Sequence, residues 1–312
     1  MTESAPSPTY MWIPEQGPDH AALDRMMSAF PKPSTPMGEA WFMGDEREMY
    51  PQLLGDLTRL SDEDIMKPLE EITSGSSSFG LLGEWVEWYH YLLPRIITRQ
   101  WEPTYFQPAE RLFSAFINQH PDVGTLQQYS GFRADALNTL GRYIMSRNFW
   151  PDGQLDAVNC LGKGTMPNGS AGWWRAGNLL SASLFFCARY LSANDIEGWF
   201  RSVLAIPDRY WQIQIVTWLI GAHPILTGEI DQPAQFPELG PFDVSWDWSH
   251  VLRGGELGYP FLPLENREAI IQVVRVTDVE AFIEDFWTDP KMSPIVEELA
   301  GMPERFLQLY RN

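Results

Sequence analysis

The chain has 312 residues, 44% of them hydrophobic and 20% charged, which is enough apolar content for a packed core and argues against disorder. Its 41 acidic residues against 22 basic ones give a formal net charge of −19, so the surface repels phosphate-rich polymers and anionic membranes. Two cysteines make no disulfide framework, and no zinc-type Cys/His spacing occurs.

In chain order, MTESAPSPTY lacks the charged-then-apolar order of a signal peptide, and a cytoplasmic location is expected. Pro6, Pro8, Pro14 and Pro18 predict that residues 1–18 form an extended N-terminal arm. Residues 19–312 read as a single helical domain, with a second break at Pro31, Pro33 and Pro36. Ser61 followed by Asp62, Glu63 and Asp64 is a helix start, where a hydroxyl caps free N–H groups and acids complement the dipole. The serine run 75–80 reads as a polar joint between two helices.

Within EWVEWYHYLLPR (84–95), Glu87 and His90 have the i, i+3 spacing that di-iron bundles use for metal. At 100° per residue, Leu81, Trp85, Trp88, Tyr89, Leu92, Leu93 and Ile96 share an apolar face. Glu84, Glu87 and Tyr91 fall opposite, with His90 at the edge, so these residues read as the polar side of the helix, either a solvated i, i+3 pair or a partner-facing patch. Pro94 clashes with the carbonyl of His90 and predicts a kink or an end there.

Residues 109–122 and 196–209 echo each other, with a Glu, a Phe three residues later and a Pro-Asp exit. Further helices are expected after Ser130, Ser170, Ser192 and Asp208. Thr277-Asp-Val-Glu280 fits a capping box. His120 and His223 each precede a proline and are expected at helix exits, bonded to free carbonyls. Cys187, inside LFFCARY, reads as a buried and inert thiol. LGKGTMPNG (161–169) is not a phosphate-binding loop, because its lysine falls in the wrong order among the glycines.

One stretch departs from the helical pattern. Residues 228–263 hold five prolines, five glycines and six acids against the single base Arg253. Within this insertion, 244–249 alternates apolar and polar residues, which predicts a short strand with Val244, Trp246, Trp248 and His250 on one face. Asp247 and His250 would then point to opposite faces and could not share a metal. Two tryptophans in an irregular frame suit a recognition surface, or else plugs for the core.

The fold class predicted is all-α: stacked antiparallel helical pairs with an α-solenoid, HEAT-like tendency, interrupted by the insertion and its short strand. No nucleophile elbow, metal-ligand set or phosphate loop is present in the sequence, and no cofactor or metal is called for. The function expected is a non-enzymatic, acidic protein-interaction module. One concrete form is an immunity- or antitoxin-type inhibitor of a basic partner such as a nuclease, with no direct nucleic-acid or membrane binding. Its partner-binding residues would be Glu84, Glu87, His90, Asp243, Trp246, Asp247, Trp248 and His250. The competing reading is an enzyme or small-molecule binder with an aromatic-lined pocket, using carboxylates and His90 or His250.

Overall fold

The computed structural model describes residues 10–38, 48–78, 83–101, 108–122, 126–161, 164–165, 171–172, 177–236, 242–252 and 260–311. It is mainly helical. The main helices are α1 (His20–Ala29), α2 (Asp62–Ser78), α3 (Gly83–Ile96), α4 (Ala109–Gln119), α5 (Phe132–Thr139), α6 (Ala157–Leu161) and α7 (Asn178–Tyr190). They continue with α8 (Ala193–Leu204), α9 (Arg209–Thr227), α10 (Leu264–Val276), α11 (Val279–Thr288), α12 (Ser293–Val296) and α13 (Met302–Tyr310). Extended pairing among the described residues includes two short antiparallel pairs, Met37–Gly38 with Glu48–Met49 and Gly164–Thr165 with Ala171–Gly172, and an isolated bridge between Leu126 and Tyr129.

Several starts are built as the sequence indicates. Ser61 Oγ accepts the Asp64 N–H at 3.2 Å, while the Asp64 carboxylate accepts the Ser61 N–H at 3.2 Å, a reciprocal cap on α2. Asp208 caps α9 through the Trp211 N–H at 2.9 Å. Other starts move. The helix expected after Ser170 begins only at Asn178; Ser170 itself lies outside the described residues. The stretch after Ser130 is α-helical only to Thr139 and then tightens into a 3₁₀ segment over Leu140–Met145. At the α10–α11 junction Asp278, not Thr277, caps α11 through the Ala281 N–H at 3.2 Å. Thr277 is committed to the preceding helix, its hydroxyl donating to Val273 O at 2.8 Å.

Proline ends fewer helices than expected. α9 runs through Pro224 to Thr227, so His223 is internal, and the exit falls to Gly228 in the left-handed region at φ 81°. α3 likewise continues two residues past Pro94. α2 extends into the serine run as far as Ser78.

The helices close on one apolar core that runs from Tyr10 to Tyr310. α2 packs along α4, α8 along α10, α1 along α5 and α4 along α7, while α9 meets both α11 and α13. In a solenoid each pair touches mainly its neighbours. Here partners skip along the chain, and the expected stacking of successive pairs is not confirmed.

The N-terminal arm, described from Tyr10, lies against this core as a strap. Tyr10 and Trp12 point inward at 8% and 2% exposure, whereas Met11 and Ile13 face out at 41% and 45%. This alternation is the period of extended chain. The Tyr10 hydroxyl donates to Leu137 O at 2.8 Å, the Trp12 indole to Gly141 O at 2.9 Å, and the Trp12 amide to Ser202 Oγ at 2.9 Å. The Trp12 ring meets Trp199 edge-on at 5.4 Å and Trp211 at 6.1 Å, and Trp150 meets Trp211 at 5.5 Å. All four indoles are buried. The arm is therefore a structural member of the fold. Trp12→Ala is expected to cost about 3–5 kcal/mol, the range for emptying a buried aromatic site. A fall in urea midpoint at constant m-value checks this.

Candidate functional site

The irregular insertion is described over 242–252, and its seat is set by a glycine. A Cβ at Gly221 of α9 would lie 2.6 Å from both Phe242 O and Val244 N, so the insertion's backbone rests directly on the helix. Val244 is buried, and the Ser245 hydroxyl hydrogen-bonds the side chain of Asn178 at the start of α7. Trp246, 4% exposed, stacks on Phe185 with centroids 5.6 Å apart and planes at 13°. Its indole N–H donates to Ser114 Oγ on α4 at 3.2 Å. Trp246 thus plugs the core.

Beyond Trp246 the strand reading fails. Asp247–Val251 is a 3₁₀ turn, with Ser249 N–H donating to Trp246 O and Leu252 N–H to Ser249 O. The turn turns back on itself because its leading amide is claimed from below. Glu110, in the first turn of α4 and only 6% exposed, accepts the Trp248 N–H at 3.1 Å. Residues i and i+3 eclipse in such a turn. Asp247 and His250 therefore share a side instead of opposing each other, and His250 Nδ1 lies 2.5 Å from Asp247 O.

Trp248 is half-buried. The Arg111 guanidinium sits over its ring at 4.9 Å and pairs with Glu70 of α2 at 2.6 Å. The His250 ring lies 5.8 Å from Trp248, tilted by 30°. Asp247 and His250 are exposed, and Asp243 is half-buried. Of the expected partner-binding residues, Asp247, Trp248 and His250 thus gather on one turn, with Trp246 as its anchor, while Asp243 precedes them where the backbone crosses α9.

The patch on α3 is different. Glu84 and Glu87 are exposed, and Trp85, Trp88, Tyr89, Leu92, Leu93 and Ile96 are buried as the wheel requires. Tyr91 and His90, assigned to the polar side, are buried at 8% and 5%. Tyr91 is covered by the Arg95 guanidinium, 3.9 Å above its ring. His90 has been drawn inward by a partner 30 residues away. Its Nε2 lies 3.0 Å from Nε2 of His120, the C-cap of α4, with the two rings only 15° from coplanar. One imidazole donates N–H and the other accepts, which is satisfied when both are neutral. Phe30 stacks on His90 at 4.5 Å, Phe116 lies 4.9 Å from His120, and Phe132 meets both rings edge-on. The Glu87–His90 pair therefore does not form, and no hydrogen bond or ring contact among the described residues joins the α3 carboxylates to the 243–250 surface.

The electrostatics follow burial. Desolvation holds both His90 and His120 well below the ordinary histidine range. Burial pushes the Glu110 carboxyl up to about 7; the Trp248 amide acts against that shift and the nearby Asp247 charge adds to it. Cys187 is fully buried and its thiol is pushed up by burial, in line with an inert packing role. Among the described residues, no three His, Cys, Asp or Glu side chains converge as a metal site, and no helix is long and apolar enough to cross a membrane.

Glu110 and Arg111 carry no motif in the sequence. His120 is expected at a helix exit, and it is the C-cap of α4, but its ring bonds His90 instead of a free carbonyl. The one signal was positional: a Glu in the first turn and a His at the last, flanking a segment otherwise rich in Phe and Leu. No family model, curated protein or solved structure matches the chain.

Two outcomes follow from this geometry. Because the unfolded chain protonates near pH 6.5 and the buried pair does not, the pair's contribution to stability is complete above that pH and is lost as pH falls below it. The limiting slope is about 2.7 kcal/mol per pH unit for two protons, read from urea unfolding at stepped pH. The double variant H90Q/H120Q removes the pair's contribution, leaving between pH 4.5 and pH 6.5 the opposite slope of Glu110, whose carboxyl is raised to about 7. Separately, Gly221→Ala forces the insertion off α9 and is expected to lower stability by about 1–3 kcal/mol. It should also increase quenching of Trp246 fluorescence, measured against a Trp246→Phe control.

Proposed function

We propose that the chain is a non-enzymatic interaction module that binds a basic partner protein through the 243–250 surface. The observation that carries this reading is the division of labour between two neighbouring tryptophans. Trp246 is sunk into the core and fixes the segment, while Trp248 is held half-buried beside exposed Asp247 and His250. Tryptophan is the residue most enriched where binding energy concentrates, and a pre-fixed turn loses little entropy on binding.

Charge supplies the partner's chemistry. A net charge of −19 attracts a cationic protein over long range and accelerates encounter. An inhibitor of a basic enzyme, of the immunity or antitoxin kind, is the concrete form this reading takes. The exposed carboxylates of Glu84 and Glu87 add to the same acidic field. His90 leaves the set of contact residues because it is buried against His120.

The test starts from affinity capture with the full chain, followed by stopped-flow association with the captured protein. The on-rate should fall steeply between about 0.01 M and about 0.15 M salt, where the screening length shrinks from roughly 30 Å to 8 Å. Trp248→Ala should speed dissociation by at least about tenfold, the signature of a hot-spot residue. A salt-independent on-rate, or a Trp248→Ala variant that dissociates at the wild-type rate, overturns the proposal.

A further inference from the structure

Arg111 carries the wrong charge for its place. It lies in the first turn of α4, with its guanidinium 4.9 Å from the centre of the Trp248 ring. At a face that binds a basic partner, a cation opposes the approach. Yet this side chain is only 13% exposed, and its Nη2 is bonded at 2.6 Å to Glu70 of α2, whose side chain is 44% exposed. We propose that Arg111 is a positioning residue: the Glu70–Arg111 pair clamps the Trp248 ring in its binding orientation, and its effect on the partner is exerted through that ring. This rests on the 243–250 surface being the contact face, but the clamp itself can be measured without a partner.

α4 grips Trp248 at two points. Glu110 accepts the Trp248 main-chain N–H at 3.1 Å, and the next residue, Arg111, covers the ring. The first bond fixes where the side chain leaves the backbone, but it leaves the χ1 and χ2 rotamers open. A half-buried indole therefore needs a second support. A guanidinium suits this role, because its planar fork can lie on an aromatic face and bond a carboxylate at the same time. Glu70 supplies that carboxylate from α2, and Thr73 of the same helix donates to Arg111 O at 3.3 Å. The ring's orientation is thus set by two packed helices. Trp246 needs no such clamp, since it is buried, stacked on Phe185 and bonded through its indole to Ser114.

Charge and position predict opposite outcomes. If Arg111 acted by its charge, removing it would make the surface more acidic, and a cationic protein would bind faster and more tightly. If Arg111 positions Trp248, removing it frees the indole, which must then be ordered again at each binding event. Ordering one such side chain corresponds to roughly two- to tenfold in affinity, expressed mainly in the off-rate. The sign alone separates the two roles.

Nitrogen-15 relaxation of the tryptophan indoles reads the clamp in the full chain with no partner present. The Trp248 resonance is identified by its loss in Trp248→Phe. In Arg111→Ala and in Glu70→Ala the heteronuclear NOE of the Trp248 indole should fall, while that of Trp246 stays at the rigid value. Stopped-flow with the captured basic protein then reads the consequence. Arg111→Ala should speed dissociation roughly two- to tenfold, with association as fast as wild type or faster. In a Trp248→Ala background the same substitution should leave dissociation unchanged, because a residue that acts through Trp248 has nothing left to act on. Arg111→Lys keeps the charge without the planar fork and should also speed dissociation; it serves in place of the alanine variant if that one does not fold. A lowered Trp248 NOE with no basic partner found supports the clamp and counts against the contact face. An unchanged Trp248 NOE in these variants overturns the clamp whether or not a partner exists. Slower dissociation in Arg111→Ala overturns it as well, and so does equal acceleration with and without Trp248.

Discussion

α4 touches water on almost no side, so each polar group on it that does find a protein partner fixes where that neighbour stands. Ala109, Glu110, Leu112, Phe113, Ser114, Ala115, Phe116, Ile117 and Gln119 are all buried. An unmet polar group inside a protein costs about 1–3 kcal/mol, so each satisfied one dictates where a neighbour must stand. Thr73 of α2 bonds Arg111 O at 3.3 Å, Tyr89 of α3 bonds Leu112 O at 2.8 Å, and Tyr190 of α7 bonds His120 O at 2.7 Å. Trp246 reaches Ser114, the Trp248 amide reaches Glu110, and His90 reaches His120. The irregular segment is thus one more layer assembled around α4. Its position follows from the same requirement that positions α2, α3 and α7.

Aromatic side chains that carry a polar atom do much of this joining. Tyr and Trp bury a large apolar body and still hold a donor at the rim, so one residue can fill space and cap a carbonyl at once. Tyr10, Trp12, Trp150, Trp211 and Tyr310 each end on a backbone oxygen between 2.7 and 3.0 Å. The abundance of tryptophan in the sequence has this structural use first, and only Trp248 among the insertion's indoles reaches the surface in part.

What could be read from the residues was local. Periodicity identified the buried face of α3, and short-range hydrogen-bond chemistry identified the caps at Ser61 and Asp208, because both depend on neighbours within one or two turns. What could not be read was long-range. The wheel placed His90 at a solvent edge, since nothing within its own helix announces a second imidazole 30 positions later. The alternation at 244–249 suggested a strand, but one buried carboxyl on another helix captures the Trp248 amide and curls the backbone. Pro94 is expected to kink or end its helix and Pro224 to follow a helix exit, yet both helices run on past these prolines. The arm was legible as extended, though not as internal, because its partners at 137–145 and 202 lie in helices with no complementary mark.

The strap formed by Tyr10 and Trp12 has a consequence for how the chain is assembled. Trp12 takes its main-chain partner from Ser202, 190 positions later, and its ring partners from Trp199 and Trp211. A chain made from its first residue onward therefore presents that indole long before anything can cover it. That contact can form only once α8 and α9 have been made, and it carries the loop-closure cost of a very distant pair. The interior at Trp199 and Trp211 is therefore completed by the chain's own N-terminal arm, a contact spanning 190 positions.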